Sequence, residues 1–565
     1  MSNQKKGLTR REFLKPGIAA FVGAVGLGGC TSTEESTTVN PTVQPTAALQ
    51  LIPDSISETS IRILWTGDIH GQLRPLYHRE PNDESFLAEH GIEPGSIEAY
   101  ISSSVDFLDL AQKYGKVGGW AYLATLINQE RQMFPDKTIL LDPGDAWYGS
   151  AICLLTEGKA AVEVMNAIGY DAMSLHWEFN LGEEAFLNRV DDAAFAVLAQ
   201  NLVDNDFEDR VLEPSLIKDL GDIRVAIVGE AYPFSMLTTE DRELTPNFRM
   251  GYRDVELQEE ITRVRVEEGA QIVILLSHMG YEQDVVMAER LEGVDVIVGG
   301  HTHDILWKPH QVGQTLIVQG GSHGKLLGEL DLEIRDGKVV AYQHTLIPVL
   351  ANEITPDPGI VDLIDELYAP YADNLNQVIG ETTSLLYRRS LFGGTTDAFI
   401  GQAYRDIVNS DLTCTGGWRF GTTILPGEIT VEDVYNAMKP TPTPIYKAKL
   451  TGEQIRANIE DNLDNVFSSD PLQRLGGDVL RCTGIAASIV RDAPRMGRIV
   501  EATMGGEPLD NEKIYTVATS GGRTQNRDPE ATTSDLPAVE ELLRYIQENS
   551  PITADQPVQS FTESS

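Results

Sequence analysis

Positive charge is scarce in this chain of 565 residues: 44 Lys and Arg face 85 Asp and Glu, a formal net charge of −41. Nucleic-acid backbones attract basic surfaces, so the balance excludes a general nucleic-acid binder, and it equally excludes docking on anionic lipid through a basic patch. Cysteine is scarcer still. Only Cys30, Cys153, Cys414 and Cys482 occur, too few for a disulfide framework. Buried, inert cysteines are the preferred reading, with one pair plus one free thiol as the alternative, and none sits in a recognisable nucleophile motif. Histidine is missing beyond His344, so any histidine-based metal centre belongs to the first part of the chain. Past the N-terminus no stretch reaches about 18 uninterrupted apolar residues, which leaves no second membrane segment. What remains, 41% hydrophobic and 23% charged, is the composition of a globular protein of two to four domains. The acidity fits solubility or a salty habitat, and an anionic substrate needs a local positive site to overcome it.

The N-terminus reads as an address. Lys5, Lys6, Arg10, Arg11 and Lys15 precede a short apolar run from Ile18 to Leu27. Thr9-Arg10-Arg11-Glu12-Phe13-Leu14-Lys15 looks like a twin-arginine export signal, and Leu27-Gly28-Gly29-Cys30 like a lipoprotein processing box with Cys30 lipidated. An ordinary secretory peptide with an incidental cysteine is the other reading. Residues 1–30 are therefore set apart as a signal and 31–57, rich in Ser, Thr and Pro, as a flexible tether. The expected location is periplasmic or extracytoplasmic, with the membrane touched only through the lipid.

The mature chain alternates β-rich runs with helical patterns. Ile61 to Trp65, Thr138 to Leu141, Phe195 to Leu198, Arg224 to Val228, Ile272 to Leu276, Val294 to Val298 and Thr315 to Val318 are apolar, and several end in Gly, Asp, His or Asn. Strands whose C-terminal ends carry polar loops are the pattern of layered α/β domains. Leu326 to Ile334 alternates into the hairpin signal Asp336-Gly337. The expected division is a first domain over 58–350, a bridging helix over 351–380 (its apolar stripe running from Ile360 to Val378), and a C-terminal domain over 381–555.

Five short motifs fall on strand ends or the loops after them: Asp68-Ile69-His70, Asp142-Pro143-Gly144-Asp145, His176-Trp177-Glu178-Phe179, Ser277-His278 and Gly299-Gly300-His301-Thr302-His303-Asp304. In Asp-x-His and His-x-His, side chains two apart share one face of an extended segment. Carboxylates and imidazoles together suit borderline or hard divalent ions such as manganese, zinc or iron. Two such ions sharing a carboxylate generate a hydroxide and stabilise charge on a tetrahedral centre. Each motif alone is weak; the ordered set points to a dinuclear centre.

The set resembles the calcineurin-like metallophosphoesterases, in the branch that holds the 5′-nucleotidases, and is more similar to the SoxB sulfate thiol hydrolase family. Arg79-Glu80-Pro81, Gly118-Gly119-Trp120, Gly144-Asp145-Ala146-Trp147, Ala199-Gln200-Asn201 and Gly476-Gly477-Asp478 carry the likeness beside the motifs above. It implies an α/β protein: a four-layer metallophosphoesterase-like domain and a smaller C-terminal α/β domain of 5′-nucleotidase type that closes over the site. By motif, Asp68, His70, Asp145 and His303 hold one metal and Asp145, His176, His278 and His301 the other, Asp145 bridging, with manganese the expected ion and zinc or iron the others. Asp142 is a turn or supporting residue. His78, His90, His310 and His344 are structural or surface residues, and His323 is read as a loop residue, with catalysis as the alternative.

The third motif departs from a nucleotidase. Those enzymes resemble Gly-Asn-His-Glu-Phe-Asp here, whose His and final Asp form a catalytic dyad; this chain has Leu175-His176-Trp177-Glu178-Phe179-Asn180. An indole cannot change charge as an imidazole does, so the dyad is absent, and Trp177 either packs or shapes the pocket floor. The late segment Thr519-Ser520-Gly521-Gly522-Arg523 lacks the Asp-Gly and nearby aromatic of a base clamp. Tyr387-Arg388-Arg389 and Gly416-Gly417-Trp418-Arg419-Phe420 instead offer arginines for a compact oxyanion, at most one of the first pair facing the site. Arg388, Arg389, Trp418, Arg419 and Asp478 are the expected substrate-binding residues, and Asp145, Arg419 and Trp177 the catalytic ones. The resemblance implies release of sulfate from a carrier-protein cysteine presented on a flexible arm. The alternatives are a 5′-nucleotidase-like phosphoesterase and a noncatalytic anion-binding lipoprotein.

Overall fold

The computed structural model describes residues 50–51, 59–236, 243–438, 443–520, 524, 528–558 and 560–564. The signal, Cys30, most of the tether and Gly521-Gly522-Arg523 lie outside the described residues.

The first half is two β-sheets packed face to face. One has seven strands, in the order Gln50–Leu51, Lys338–Pro348, Leu326–Arg335, Ser60–Trp65, Thr138–Asp142, Ala172–Met173, Ala196–Val197. The last four run parallel. The other has six, in the order His310–Val312, Thr315–Val318, Val296–Gly299, Ile272–Ser277, Ile223–Glu230, Ser215–Leu220, with a parallel core and antiparallel edges. Parity along each strand builds the layers. Ile61, Ile63, Trp65, Ile139 and Leu141 meet Val225, Ile227, Ile272, Ile274, Val296 and Val298 in one core between the sheets. The residues between them in sequence turn outward. Leu64 and Leu140 meet helices Trp120–Met133 and Lys159–Ile168, while Val228, Val273, Leu275 and Ile297 meet helices Asp254–Val266 and Tyr281–Arg290. Strands buried on both faces are continuous apolar runs, as parallel strands between helix layers must be. Helix, sheet, sheet, helix is the four-layer metallophosphoesterase-like architecture.

The second half mixes helices with a five-stranded sheet, Asp478–Thr483, Leu412–Gly417, Ile514–Thr519, Pro444–Thr451, Thr532–Pro537, and a four-stranded one, Glu507–Pro508, Ile499–Met504, Ala486–Ile489, Phe561–Glu563. Both halves belong to one compact unit from Ala48 on.

Four details differ from the sequence reading. Gln50–Leu51, placed in the tether, pairs with Ala341 and Tyr342 as an edge strand. The bridging helix is Pro358–Tyr368, capped by Asp357, followed by the single turn Ala372–Leu375; Val378 already belongs to the strand Val378–Thr382. The C-terminal fold runs past Asp555, because Phe561–Glu563 pairs with Ala487–Ile489. Cys414 and Cys482 form a disulfide between facing strand positions, leaving Cys153 as the buried free thiol. Spacing could not reveal that pair, because 68 residues separate the two cysteines along the chain.

Candidate metal centre

The motif residues gather where the parallel strands of both sheets end, in the crevice that open α/β sheets leave for ligands. Three buried groups have ligand atoms within 4.8 Å of one another: His176, His278 and His301; Asp68, His70 and His303; and Asp68, Asp145 and His278. The third group joins the other two. His70 Nε2 lies 3.0 Å from His303 Nε2, and Asp68 Oδ1 lies 3.4 Å from His303 and 3.7 Å from His278. Asp145 Oδ2 is 3.0 Å from His176 Nδ1 and 3.3 Å from His278 Nε2.

The backbone is bent to bring them there. Asp68, His70, Asp145, His301 and His303 all have positive φ, between 49° and 73°. A non-glycine residue in that region costs roughly 1–2 kcal/mol, and such strain collects at functional sites. Supporting bonds hold the loops in place. Asp68 accepts from the His301 amide at 2.9 Å. The buried carboxylate of Glu178 accepts from the amides of Ala146, at 2.8 Å, and His176, at 2.7 Å, and so ties two ligand loops together. Asp142 accepts from Thr66 at 2.6 Å and from the Gly144 amide at 2.9 Å, and so shapes the turn before Asp145.

These residues fit divalent ions. His278 Nδ1 lies 2.9 Å from the Pro143 carbonyl, which commits that nitrogen and leaves the buried Nε2, with no hydrogen-bond partner, facing Asp68 and Asp145. A carbonyl orienting the far side of a ligating imidazole is a recurrent feature of metal sites. The electrostatics agree. Burial lowers His70 to about 4 despite the nearby Asp145, and holds His301 and His303 well below the usual imidazole range. For Asp145 burial is overcome by His176 and His278, which hold the carboxylate ionised. For His278 burial is likewise overcome, by Asp145, and its pKa rises to about 9. His70, His176, His301 and His303 are thus held neutral around an ionised carboxylate, with His278 the exception that Asp145 raises. Neutral imidazoles beside a carboxylate are a donor set for cations.

A cavity of about 120 Å³ opens onto this centre. The first half contributes His70, Asp145, His176, Trp177, His301 and His303; the second contributes Gly417 to Phe420 and Leu475 to Gly477. Arg419 reaches in and donates to the His301 carbonyl at 2.9 Å. Trp177 stands edge-on to Phe420, Trp418 and His70, with centroids 4.7, 5.7 and 5.4 Å away, and forms an apolar wall.

Other expected residues lie elsewhere. Arg388 does not reach the cavity, because buried Asp397 pairs with its guanidinium at 2.8 Å inside the second domain. Arg389 donates to Glu80 at 3.1 Å and to the Thr302 carbonyl at 3.3 Å, bridging the two halves outside the cavity wall. Asp478 is also outside it, on a strand, accepting from Arg481 at 3.0 Å. His323 bonds the Phe420 carbonyl and stacks on His78, their centroids 3.9 Å apart. His90 is exposed, His310 lies 2.6 Å from the Tyr281 hydroxyl, and His344 stacks on Trp65. Sequence reasoning missed Tyr232, which packs on His301 and His176, and quoted Gly476 without its role: its lack of a side chain lets the second domain approach His301. A polar strand end at Glu230 was the available signal for the first.

The comparisons with known proteins agree with this architecture. Residues 378–532 match the family model described as the 5′-nucleotidase C-terminal domain. The sulfate thiohydrolase SoxB of Thermus thermophilus superposes with a TM-score of 0.86 at 33% identity, over 90% of this chain and 98% of that one. The chain belongs to the SoxB family. That places it in the 5′-nucleotidase superfamily of metal-dependent hydrolases. A 5′-nucleotidase precursor, also from Thermus thermophilus, shares the fold, with a TM-score of 0.74 at 20% identity over 89% of this chain and 99% of that one. The 5′-nucleotidase of Vibrio vulnificus is 23% identical over 79% of this chain and 89% of its own length. The trifunctional nucleotide phosphoesterase YfkN of Bacillus subtilis is 26% identical over 71% of this chain, which spans 30% of that longer protein.

Proposed function

We propose that this SoxB-family chain releases sulfate from a carrier-protein cysteine bearing –S–SO₃⁻. The cavity carries the reading. At about 120 Å³, lined by Trp177, Trp418, Phe420 and Arg419 beside the histidines, it suits a compact sulfonate on a narrow arm. Sites that enclose a drug-sized ligand run to roughly 300–1,000 Å³.

Asp68, His70, His303, Asp145, His176, His278 and His301 would hold two divalent ions, manganese first, which supply Lewis acidity and a hydroxide at neutral pH. Arg419 binds sulfonate oxygens and stabilises the charge that gathers on them. The indole and phenyl walls exclude bulk water from the sulfane sulfur. The water oxygen bonds to the sulfonate sulfur as the bond between the two sulfurs breaks. The sulfane sulfur keeps that electron pair, takes one water proton and stays on the carrier as a persulfide; hydrogen sulfate leaves with the other. No outside oxidant or reductant enters. The partner is a SoxYZ-like carrier with a cysteine on a flexible arm. Export by the twin-arginine route and a lipid on Cys30 complete the proposal; among the described residues no helix is long and apolar enough to cross a membrane.

A second reading, a 5′-nucleotidase-like phosphoesterase, is favoured by the likeness to the Vibrio enzyme. The two part in one experiment. Manganese-loaded protein is given a carrier charged with –S–SO₃⁻ and, separately, 5′-AMP, and sulfate, persulfide and phosphate are measured. Sulfate with equimolar persulfide supports the first reading; phosphate alone transfers the protein to the second.

A further inference from the structure

We propose that Tyr232 is a positioning residue that sets the second domain's Leu475–Gly477 loop in register with the His176–His301 side of the metal centre. Tyr232 is buried and its own place is fixed from two sides. The Asn201 side chain donates to the Ala231 carbonyl at 2.8 Å and accepts from the Ala231 amide at 3.0 Å, copying a strand pairing one residue before it. The Tyr232 amide then donates to Leu175 at 3.1 Å, the residue before His176. Ala199-Gln200-Asn201 is thus explained as the anchor of this loop.

The ring serves two imidazoles. It stacks on His301 with centroids 4.2 Å apart and planes 21° apart, and meets His176 edge-on at 4.4 Å. On His278 a carbonyl fixes the ring through Nδ1; on His301 the buried Nδ1 has no hydrogen-bond partner and Nε2 lies 3.5 Å from the Arg419 guanidinium. The stack adds the orientation that this long contact does not fix.

The hydroxyl serves the other domain: it donates to the Leu475 carbonyl. The next residue, Gly476, has φ +74°, and a Cβ there would lie 2.2 Å from His301 Nε2 and 3.4 Å from the Tyr232 hydroxyl. Backbone and imidazole approach to the limit that glycine allows. Loop and ligand therefore have one common reference, and it determines how closely the Leu475–Gly477 wall approaches the centre.

Tyr232→Phe keeps the stack and removes the loop bond; Tyr232→Leu removes both. In the full chain, Tyr232→Phe is expected to bind two metal equivalents as the wild type does. Hydrogen exchange of the peptide over 474–478 should quicken about fivefold, the equivalent of one ordinary hydrogen bond. Tyr232→Leu should weaken one metal equivalent roughly 10–100-fold. With the carrier substrate, Tyr232→Phe should raise KM severalfold and leave kcat within twofold. Unchanged exchange and KM in Tyr232→Phe would overturn the proposal even if Tyr232→Leu failed to fold, as would unchanged metal affinity in a folded Tyr232→Leu. The exchange and metal measurements need no substrate, so a wild type inactive on the carrier removes the functional reading and leaves Tyr232 to be judged by them.

Discussion

Asp145 and His176 meet at 3.0 Å from the ends of two neighbouring parallel strands, Thr138–Asp142 and Ala172–Met173. Asp145 also lies 3.3 Å from His278, so it contacts two members of the His176, His278 and His301 group, and with Asp68 and His278 it forms the group that joins this one to Asp68, His70 and His303. His176→Ala is expected to leave one metal equivalent bound as in the wild type and weaken the other at least 100-fold, with turnover lost in step. Metal titration by calorimetry checks it. Two tight equivalents in the variant would remove His176 from the centre.

Arg419 is the guanidinium that reaches this centre, donating to the His301 carbonyl at 2.9 Å. Losing one preorganised donor costs about 10²–10³ in rate. Arg419→Ala should fall by that factor in kcat/KM with metal content unchanged. Arg419→Lys should recover little, since an ammonium cannot present the planar fork. Arg388→Ala should act differently, lowering stability by breaking the buried pair with Asp397.

Those two arginines show where the sequence is legible and where it is not. The strands were readable because parallel strands buried on both faces are continuous apolar runs, and the ligand motifs because they follow those runs directly. Arg388 and Arg389 are adjacent and alike in sequence, yet their partners are Asp397 in one case and Glu80, far back in the chain, in the other. The apolar spacing predicts a bridging helix through Val378, but the helix stops at Tyr368, just before Pro370, and the spacing continues through a separate turn into the strand where Val378 pairs with Thr430. Tyr232 lacks a motif altogether; its contacts are to His301 and His176 from other strand ends and to the Leu475 carbonyl far along the chain.

Gly476→Ala tests the closeness of the two halves. A Cβ would fall 2.2 Å from His301 Nε2 and would also be strained at φ +74°. The backbone conformation alone costs about 1 kcal/mol for a non-glycine residue. Loop or imidazole must move, so the variant should fold but lose at least tenfold in kcat/KM. A wild-type value would show that the loop stands clear of the centre in solution.

Acid should weaken the fold through His344. Burial lowers its pKa to about 4, and no other influence contributes. The folded protein then binds fewer protons than the unfolded chain, whose imidazole titrates near its ordinary value of 6.5. Stability is retained above that value and falls as pH drops from 6.5 towards 4. In metal-loaded protein, the urea midpoint should decline across this window, and His344→Phe, which keeps a ring against Trp65, should flatten the decline. An unchanged slope would assign the acid sensitivity to other groups.

The disulfide fastens the part of the second domain that meets the metals. Cys414 lies on the strand Leu412–Gly417, which leads directly into Trp418, Arg419 and Phe420; Cys482 lies on Asp478–Thr483, which follows the loop Leu475–Gly477. Both segments line the cavity, and they leave the sheet at the same end, where Gly417 faces Asp478. A Cβ on Gly417 would meet the Asp478 carbonyl oxygen at 2.4 Å, so the strands already touch there. Removing a native disulfide costs roughly 2–4 kcal/mol, with longer loops at the upper end, and this one closes a separation of 68 residues. The double variant Cys414→Ser, Cys482→Ser should lower the unfolding free energy by about that amount. Because the metal ligands all come from the first half, its metal stoichiometry should stay at the wild-type value while KM rises. Loss of metal together with stability would instead mean that the second domain's strands are needed to form the centre itself.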